Sequence, residues 1–211
     1  NFADVHFYLA ELYLQAGETA NAMEHFRRAA HATPSRPAPW IRLAALQAEE
    51  DPSLAVATLA EGLEVLPENP KLLEVFALVR LQQKRYGEAA ALLQRAYDAM
   101  AEQETDAAPS QLFFYNFATV CTHLRRTAEA AEWLRRAAEQ EPALLDLYLQ
   151  RALTGTATYR RSAIAVLRAL SAIPNTESAT VRAYLANLSL AQARPAPAVR
   201  EFEAAAELVR P

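Results

Sequence analysis

The residues of this 211-residue chain that could do chemistry are few and widely spaced. Its four histidines are His6, His25, His31 and His123, and none belongs to a His-Glu-x-x-His motif or another metal-ligand spacing. His25 and His31 are six residues apart, so a helix would place them on different faces. We therefore predict structural or solvated histidines, no metal site and no cofactor.

The single cysteine, Cys121, lies in an apolar run with helical spacing, where a buried and inert thiol is expected. A nucleophilic thiol would need exposure and a neighbouring base. The chain has no Gly-x-Ser-x-Gly motif, and its four glycines are too few for a phosphate-binding loop. We therefore predict that the chain is not an enzyme and has no catalytic residue.

Charge narrows the range of partners. The net charge is −4, without a basic domain or tail, so we expect no nucleic-acid partner. Arginine pairs at Arg27-Arg28 and Arg135-Arg136 could form a basic stripe, but their acidic neighbours favour a solvated outer face. No apolar run approaches the roughly 20 residues of a membrane span, so membrane insertion is not expected.

The elements that must position these residues are helices. Apolar residues make up 52 % of the chain and follow a helical spacing throughout, and good helix formers dominate the composition. Prolines follow successive amphipathic runs and mark helix ends, since proline cannot continue a helix. These prolines are Pro34, Pro67, Pro142 and Pro174. Asp51 before Pro52, and Asn69 before Pro70, predict capped helix starts.

A softer break inside each segment predicts six helix–turn–helix repeats. In each second helix, small and large residues alternate at spacings of four and three, which places them on one face. The small residues allow helices to approach, and the large one fills the gap beside them. The trios are Ala22/Phe26/Ala29, Ala55/Leu59/Gly62, Ala89/Leu93/Ala96, Ala130/Leu134/Ala137, Ser162/Val166/Ala169 and Ala198/Phe202/Ala205.

The sequence around Tyr8 returns around Tyr184, where leucine, alanine and phenylalanine recur without a gap. Further characteristic positions are occupied by Trp40, Phe114, Tyr13 and Gly17. With these matches, the chain resembles the tetratricopeptide repeat (TPR) family. The resemblance implies an all-α fold, a right-handed α-α superhelix of six units in one array. The units are approximately 3–35, 36–69, 70–105, 109–142, 143–175 and 176–211.

Two segments depart from the pattern. Residues 100–109 lengthen the third repeat, which we interpret as a longer second helix followed by an acidic loop. That loop is either a tolerated insertion or a hinge or contact loop. The fifth repeat is poor, because its turn at residues 154–158 has weak helix propensity and its first-helix register is ambiguous by two residues. We expect a bend or an early helix end there.

In TPR proteins the first helices line a concave groove in which ligands usually lie. Carried over by position, the resemblance implies a peptide-binding groove lined by Tyr8, Glu11, Arg42, Lys71, Glu74, Tyr115, Asn116, Thr119, Tyr184 and Asn187. The fifth repeat would add Tyr148 and Arg151 or, in the other register, Gln150. Tyrosine suits such a surface because it offers a large contact area at low entropic cost, although each could instead pack between helices.

Two TPR subtypes are disfavoured. The clamp of chaperone-binding members would fall at Phe7, Glu11, Arg42, Lys71 and Val75, where only one lysine is kept and Glu11 would repel a carboxylate. The groove asparagine ladder of the O-linked sugar transferases keeps only Asn116.

The resemblance therefore implies a non-catalytic scaffold that binds a partner peptide or helix in the groove. An alternative is a spacer or assembly domain of a larger bacterial secretion, pilus or exopolysaccharide-export machine. A third is the regulatory arm of an enzyme outside this sequence. The apolar last repeat also favours end-to-end self-association. The arginine-rich, alanine-rich composition suggests a bacterial source and leaves cytoplasm and periplasm open.

Overall fold

The computed structural model describes residues 2–102, 109–173 and 178–209, and the chain divides into two compact halves, Asn1–Ala108 and Pro109–Pro211. All regular elements of the described residues are α-helices, as predicted. The helices of the N-terminal half are α1 (Phe2–Gln15), α2 (Thr19–Ala32), α3 (Pro37–Glu50), α4 (Pro52–Val65), α5 (Pro70–Gln82) and α6 (Tyr86–Glu102). Those of the C-terminal half are α7 (Phe113–His123), α8 (Thr127–Gln140), α9 (Ala143–Thr154), α10 (Ala157–Ser171), α11 (Ser178–Ala191) and α12 (Pro195–Leu208).

The predicted helix starts are confirmed at two caps. The Asp51 carboxylate accepts a hydrogen bond from the Ser53 amide at 2.8 Å, and Pro52 is the first residue of α4. The Asn69 side chain likewise accepts from the Leu72 amide at 3.1 Å ahead of α5. Each cap satisfies an amide that has no partner within its own helix.

The helix ends also follow the sequence. Helices α2, α4 and α8 stop just before Pro34, Pro67 and Pro142. The fourth predicted stop, Pro174, lies outside the described residues, as does most of the acidic loop after α6. The predicted lengthening of the third repeat is confirmed in α6, which at 17 residues is the longest described helix.

Small residues hold the helices of a pair together, and large ones join neighbouring pairs. Ala10 of α1 and Ala22 of α2 are fully buried where these helices meet, and Phe26 of α2 packs in the same cluster with Leu43 of α3. All members of the predicted trios of α2, α4, α6 and α8 are buried. Within each half, contacts between successive pairs therefore contribute to stability, as expected of a repeat.

The last pair keeps only part of this pattern. Ala198 and Ala205 of α12 are buried, but Phe202 between them is 41 % exposed. Its counterparts in the first four pairs lie at most 1 % exposed. The large residue of the last trio is thus partly exposed, whereas those of the first four trios are buried.

The fifth pair departs most from the others. In the other five pairs, the small alanine of the first helix precedes the turn by seven residues, as Ala10 precedes Gly17. In the fifth pair that position is Tyr148, seven residues before Gly155. Tyr159, on α10, faces it with a ring-centroid distance of 6.3 Å, and both tyrosines are buried. Two bulky rings thus lie where the helices of the other pairs meet through small side chains. We call that meeting of small side chains the small contact.

Because of these rings, α9 and α10 touch far less than the two helices of any other pair, and α10 packs mainly on α8 and α11. The predicted α10 trio is wrong in register: Val166 is buried, but Ser162 and Ala169 are only half-buried. The buried residues of α10 are instead Tyr159, Ala163, Val166, Leu167 and Leu170. Tyr159, which faces Tyr148, thus belongs to the buried face of α10.

Polar contacts hold the opened pair. The Arg160 guanidinium donates to the carbonyls of Ala152 at 3.2 Å and Leu153 at 2.6 Å, in the last turn of α9. Carbonyls there have no partner within the helix, and a cation is favoured beside them.

The Tyr148 hydroxyl lies 2.7 Å from the Thr122 hydroxyl of α7, which donates to the Ala118 carbonyl at 2.7 Å. Since Thr122 has a single proton, Tyr148 is the donor to Thr122.

We predict that Tyr148→Phe lowers the free energy of unfolding by about 1 kcal/mol, because it removes one buried hydrogen bond while keeping the ring. Urea denaturation followed by circular dichroism measures the change. Tyr8→Phe is the matched control, since Tyr8 is exposed and should tolerate the loss of its hydroxyl. Equal midpoints for Tyr148→Phe and the native protein would contradict this role for the hydroxyl.

Candidate interaction surfaces

An apolar stripe runs along the exposed face of α1. Phe2, Val5, Tyr8 and Leu12 are 70, 55, 64 and 59 % exposed, and their spacing of three, three and four residues places them on one side of the helix. Exposed apolar groups that cluster in this way mark interaction surfaces. We call these four residues the α1 stripe.

The same positions are buried in two later first helices. In register, Val5 and Leu12 correspond to Leu72 and Val79 of α5, and to Val181 and Leu188 of α11. All four counterparts are at most 2 % exposed. Helix α5 packs against α4, and α11 packs against α10, which is in each case the second helix of the preceding pair. The α1 stripe therefore has the chemistry of a helix-packing face.

Of the four residues of this stripe, only Tyr8 is among the groove residues predicted from the sequence. Val5 and Leu12 follow the same apolar helical spacing as the buried residues of other first helices, so the sequence does not tell an exposed position from a buried one.

In the N-terminal half, the predicted groove residues differ in exposure. Lys71 is exposed, and Glu74 is buried. Arg42 of α3 donates to both carboxylate oxygens of Glu11 of α1, at 2.7 and 2.5 Å. This bidentate geometry is the strongest form of such a pair. Glu11 and Arg42 thus join two first helices and leave little net charge at that point.

In the C-terminal half, Tyr115 and Thr119 of α7 are buried, Asn116 is half-buried and Asn187 is exposed. The half-buried Tyr184 donates its hydroxyl proton to the Asp146 carboxylate at 2.5 Å, which joins α11 to α9. Among the residues weighed for the fifth repeat, Gln150 is exposed, Arg151 is half-buried and Tyr148 is fully buried. Glu74, Tyr115 and Thr119 therefore present little surface to a ligand.

Two histidines form a structural contact. Nδ1 of His6 and Nδ1 of His25 are 2.8 Å apart, so one ring donates and the other accepts. Burial, and then the charge of His25, lower the pKa of His6. No group of three or more His, Cys, Asp or Glu side chains within the described ranges could hold a metal ion.

His123, at the end of α7, packs against the Tyr159 ring with centroids 4.6 Å apart. Burial, and then the charge of Arg151, lower its pKa to about 4 from the ordinary value of 6.5. The neutral imidazole is therefore the form that the fold accommodates.

We predict that the free energy of unfolding falls as the pH drops from 7 to 5. Between the ordinary and the folded pKa of His123 the unfolded chain binds more protons, so acidification favours unfolding. His6 acts in the same direction. Urea titrations at pH 7, 6 and 5 should give a shallower pH dependence for His123→Gln. The control is His31→Gln, at an exposed site. An unchanged slope in His123→Gln would count against the assignment.

Cys121 is fully buried, as predicted. Burial, and then the nearby Glu129 carboxylate, raise the pKa of its thiol to about 12. The reactive thiolate is thus absent at neutral pH, and the thiol behaves as a small apolar group.

The arginine pairs Arg27-Arg28 and Arg135-Arg136 are bonded to acidic neighbours, as predicted from the sequence. Arg28 donates to Glu24 at 2.9 Å, and Arg136 donates to Glu132 at 2.9 Å. Hydrogen bonds from Arg135, and then from Arg136, lower the pKa of Glu132 to about 2. These arginines belong to neutralised outer faces.

No helix in the described ranges is long and apolar enough to cross a membrane.

Comparison with known proteins agrees with this architecture. Two tetratricopeptide repeat family models match residues 3–46 and 44–105. The sequence matches no curated protein.

Several solved structures resemble the chain. The pilF protein of Pseudomonas aeruginosa has a TM-score of 0.60 at 21 % identity, covering 98 % of this chain and 91 % of that one. PilW, a widely conserved type IV pilus biogenesis factor, has a TM-score of 0.63 at 14 % identity, with coverages of 94 % and 90 %. YrrB, a TPR protein with an unusual peptide-binding site, has a TM-score of 0.56 at 17 % identity, with coverages of 87 % and 92 %. These likenesses support the fold class, an all-α repeat superhelix.

Proposed function

Since the chain belongs to the tetratricopeptide repeat family, we propose that it is a non-catalytic scaffold that binds a helix of a partner protein on the α1 stripe. TPR proteins bind protein or peptide partners, and YrrB has a peptide-binding site. The observation that carries the proposal is the exposure of Val5 and Leu12 at positions that α5 and α11 bury.

The chemistry of the stripe defines the occupant. Its side chains are aliphatic or aromatic, and none carries a charge. In this chain such positions are covered by helices that present apolar residues at helical spacing. An amphipathic helix docked along α1 would repeat that packing, whereas an extended polar peptide would leave the stripe exposed.

The N-terminal half also holds exposed or half-buried members of the predicted groove. Tyr8 belongs to the stripe, and the Glu11–Arg42 pair and Lys71 lie on α1, α3 and α5. Tyrosine and lysine can bond to polar groups at the edge of a docked helix. In the C-terminal half, the exposed Asn187 and the half-buried Asn116 and Tyr184 stay candidates for the groove.

A second candidate is self-assembly within a larger machine. It is favoured by the exposed apolar residues of the last pair, where Val199, Phe202 and Leu208 are 53, 41 and 55 % exposed. A second copy could cover such a face with its own α1 stripe, since interior pairs meet through the same positions. PilW, a pilus biogenesis factor of similar fold, is in keeping with this role.

Introducing negative charge on the stripe tests both candidates. We predict that Val5→Glu/Leu12→Glu abolishes capture of partner proteins from cells of the native host, because the carboxylates would be desolvated by a docked helix. Both sites are exposed, so the variant should fold. Ala60→Glu/Ala91→Glu, which adds the same charge at exposed sites of α4 and α6, is the matched control and should capture the same proteins.

The outcomes separate the two candidates. Capture of the same proteins by Val5→Glu/Leu12→Glu would exclude the stripe as the docking site. Sedimentation velocity of the purified protein identifies self-assembly: if copies stack, the native protein forms oligomers and the stripe variant is monomeric. A monomeric native protein at all concentrations would reject the second candidate and leave the first.

A further inference from the structure

A second surface differs in chemistry from the α1 stripe and lies wholly in the C-terminal half. The whole chain carries a net charge of −4, yet residues 147–200 contain seven arginines and a single acidic residue, Glu177. This stretch is therefore strongly basic within an acidic chain. Such an asymmetry points to an oppositely charged partner.

The fold gathers four of the arginines of this half along one edge. Arg125 and Arg161 line a pocket of about 270 Å³ between the α7–α8 turn and the start of α10. Arg161 also lines an adjoining pocket of about 170 Å³, together with Arg168 and Arg194. We call Arg125, Arg161, Arg168 and Arg194 the arginine edge.

The backbone explains why these side chains meet. Arg161 and Arg168 are seven residues apart, two turns along one face of α10. Arg125 has a φ of 59°, in the turn before α8, and Arg194 directly precedes α12. Because α10 packs on α8 and α11, its outer face lies beside both turns. The opened fifth pair thus helps to assemble the edge.

The edge is not neutralised by the described part of the chain. All four arginines are exposed, and no described carboxylate lies within ion-pair distance of them. By contrast, the arginines of the outer faces at Glu24 and Glu132 are paired. No acidic residue lines either pocket; hydroxyl and amide groups of Thr127, Thr158, Ser162, Ser189 and Gln192 do.

We propose that the arginine edge docks an acidic peptide segment of a partner protein. Guanidinium groups bind carboxylates bidentately, and hydroxyl and amide groups between them can bond to a peptide backbone. The two pockets would hold a short run of carboxylates. A nucleic acid fits less well, because neither pocket is lined by an aromatic side chain for base stacking and the rest of the chain would repel a long polyanion.

Fluorescence anisotropy with a labelled deca-glutamate peptide tests the proposal, with deca-glutamine as the neutral probe. At low salt the native protein should bind deca-glutamate, and added salt should weaken the binding. Arg161→Gln/Arg168→Gln should weaken it by about tenfold, since two charge-assisted contacts are lost. Both residues are exposed on a helix, and glutamine is a good helix former, so the variant should fold.

Arg27→Gln/Arg28→Gln is the matched control, because it removes two arginines that are paired with Glu24. It should bind deca-glutamate within about twofold of the native protein. The Val5→Glu/Leu12→Glu variant should also bind normally, so failure of the edge and failure of the α1 stripe are distinguishable. The proposal is overturned if the native protein does not bind deca-glutamate, if the control loses as much affinity, or if a ten-nucleotide DNA strand binds more tightly than the peptide.

Discussion

The close approach of the two helices in a pair, through small side chains, is the constraint on which the rest of the structure depends. Ala10 against Ala22 shows the usual arrangement, in which the large Phe26 is left to reach the following pair. Where Tyr148 and Tyr159 replace the small contact, α9 and α10 separate and α10 packs on α8 and α11. One change of side-chain volume therefore changes which helices are neighbours.

The two proposed surfaces follow from this packing in different ways. The α1 stripe has the composition of an interior helix face, and it is exposed because no described helix covers it. The arginine edge arises where α10 lies beside two turns instead of pairing closely with α9. One surface is apolar and suits a helix, and the other is cationic and suits acidic groups. A scaffold with both could hold two partners, or two segments of one partner.

Sequence alone predicts what depends on local and periodic physics. The helices, the caps at Asp51 and Asn69, and the trios of the first four pairs were all predictable. The burial of Tyr115 was not predictable, because it depends on how tightly neighbouring helices pack around α7. The register of α10 was also not predictable, because its small alanine and serine residues would fit on more than one face of the helix. The buried face is the one on which Tyr159 packs against Tyr148. The Glu11–Arg42 pair joins residues 31 apart, which helical spacing does not reveal.

Contact through small side chains defines a pair of helices, and the fifth pair lacks that contact. Hydrogen–deuterium exchange, resolved by helix in the free protein, tests this most directly, since exchange reports the free energy of local opening. With few contacts to α10, the amides of α9 should exchange about tenfold faster than those of α7 and α11. Protection of α9 equal to that of α7 and α11 would contradict the claim.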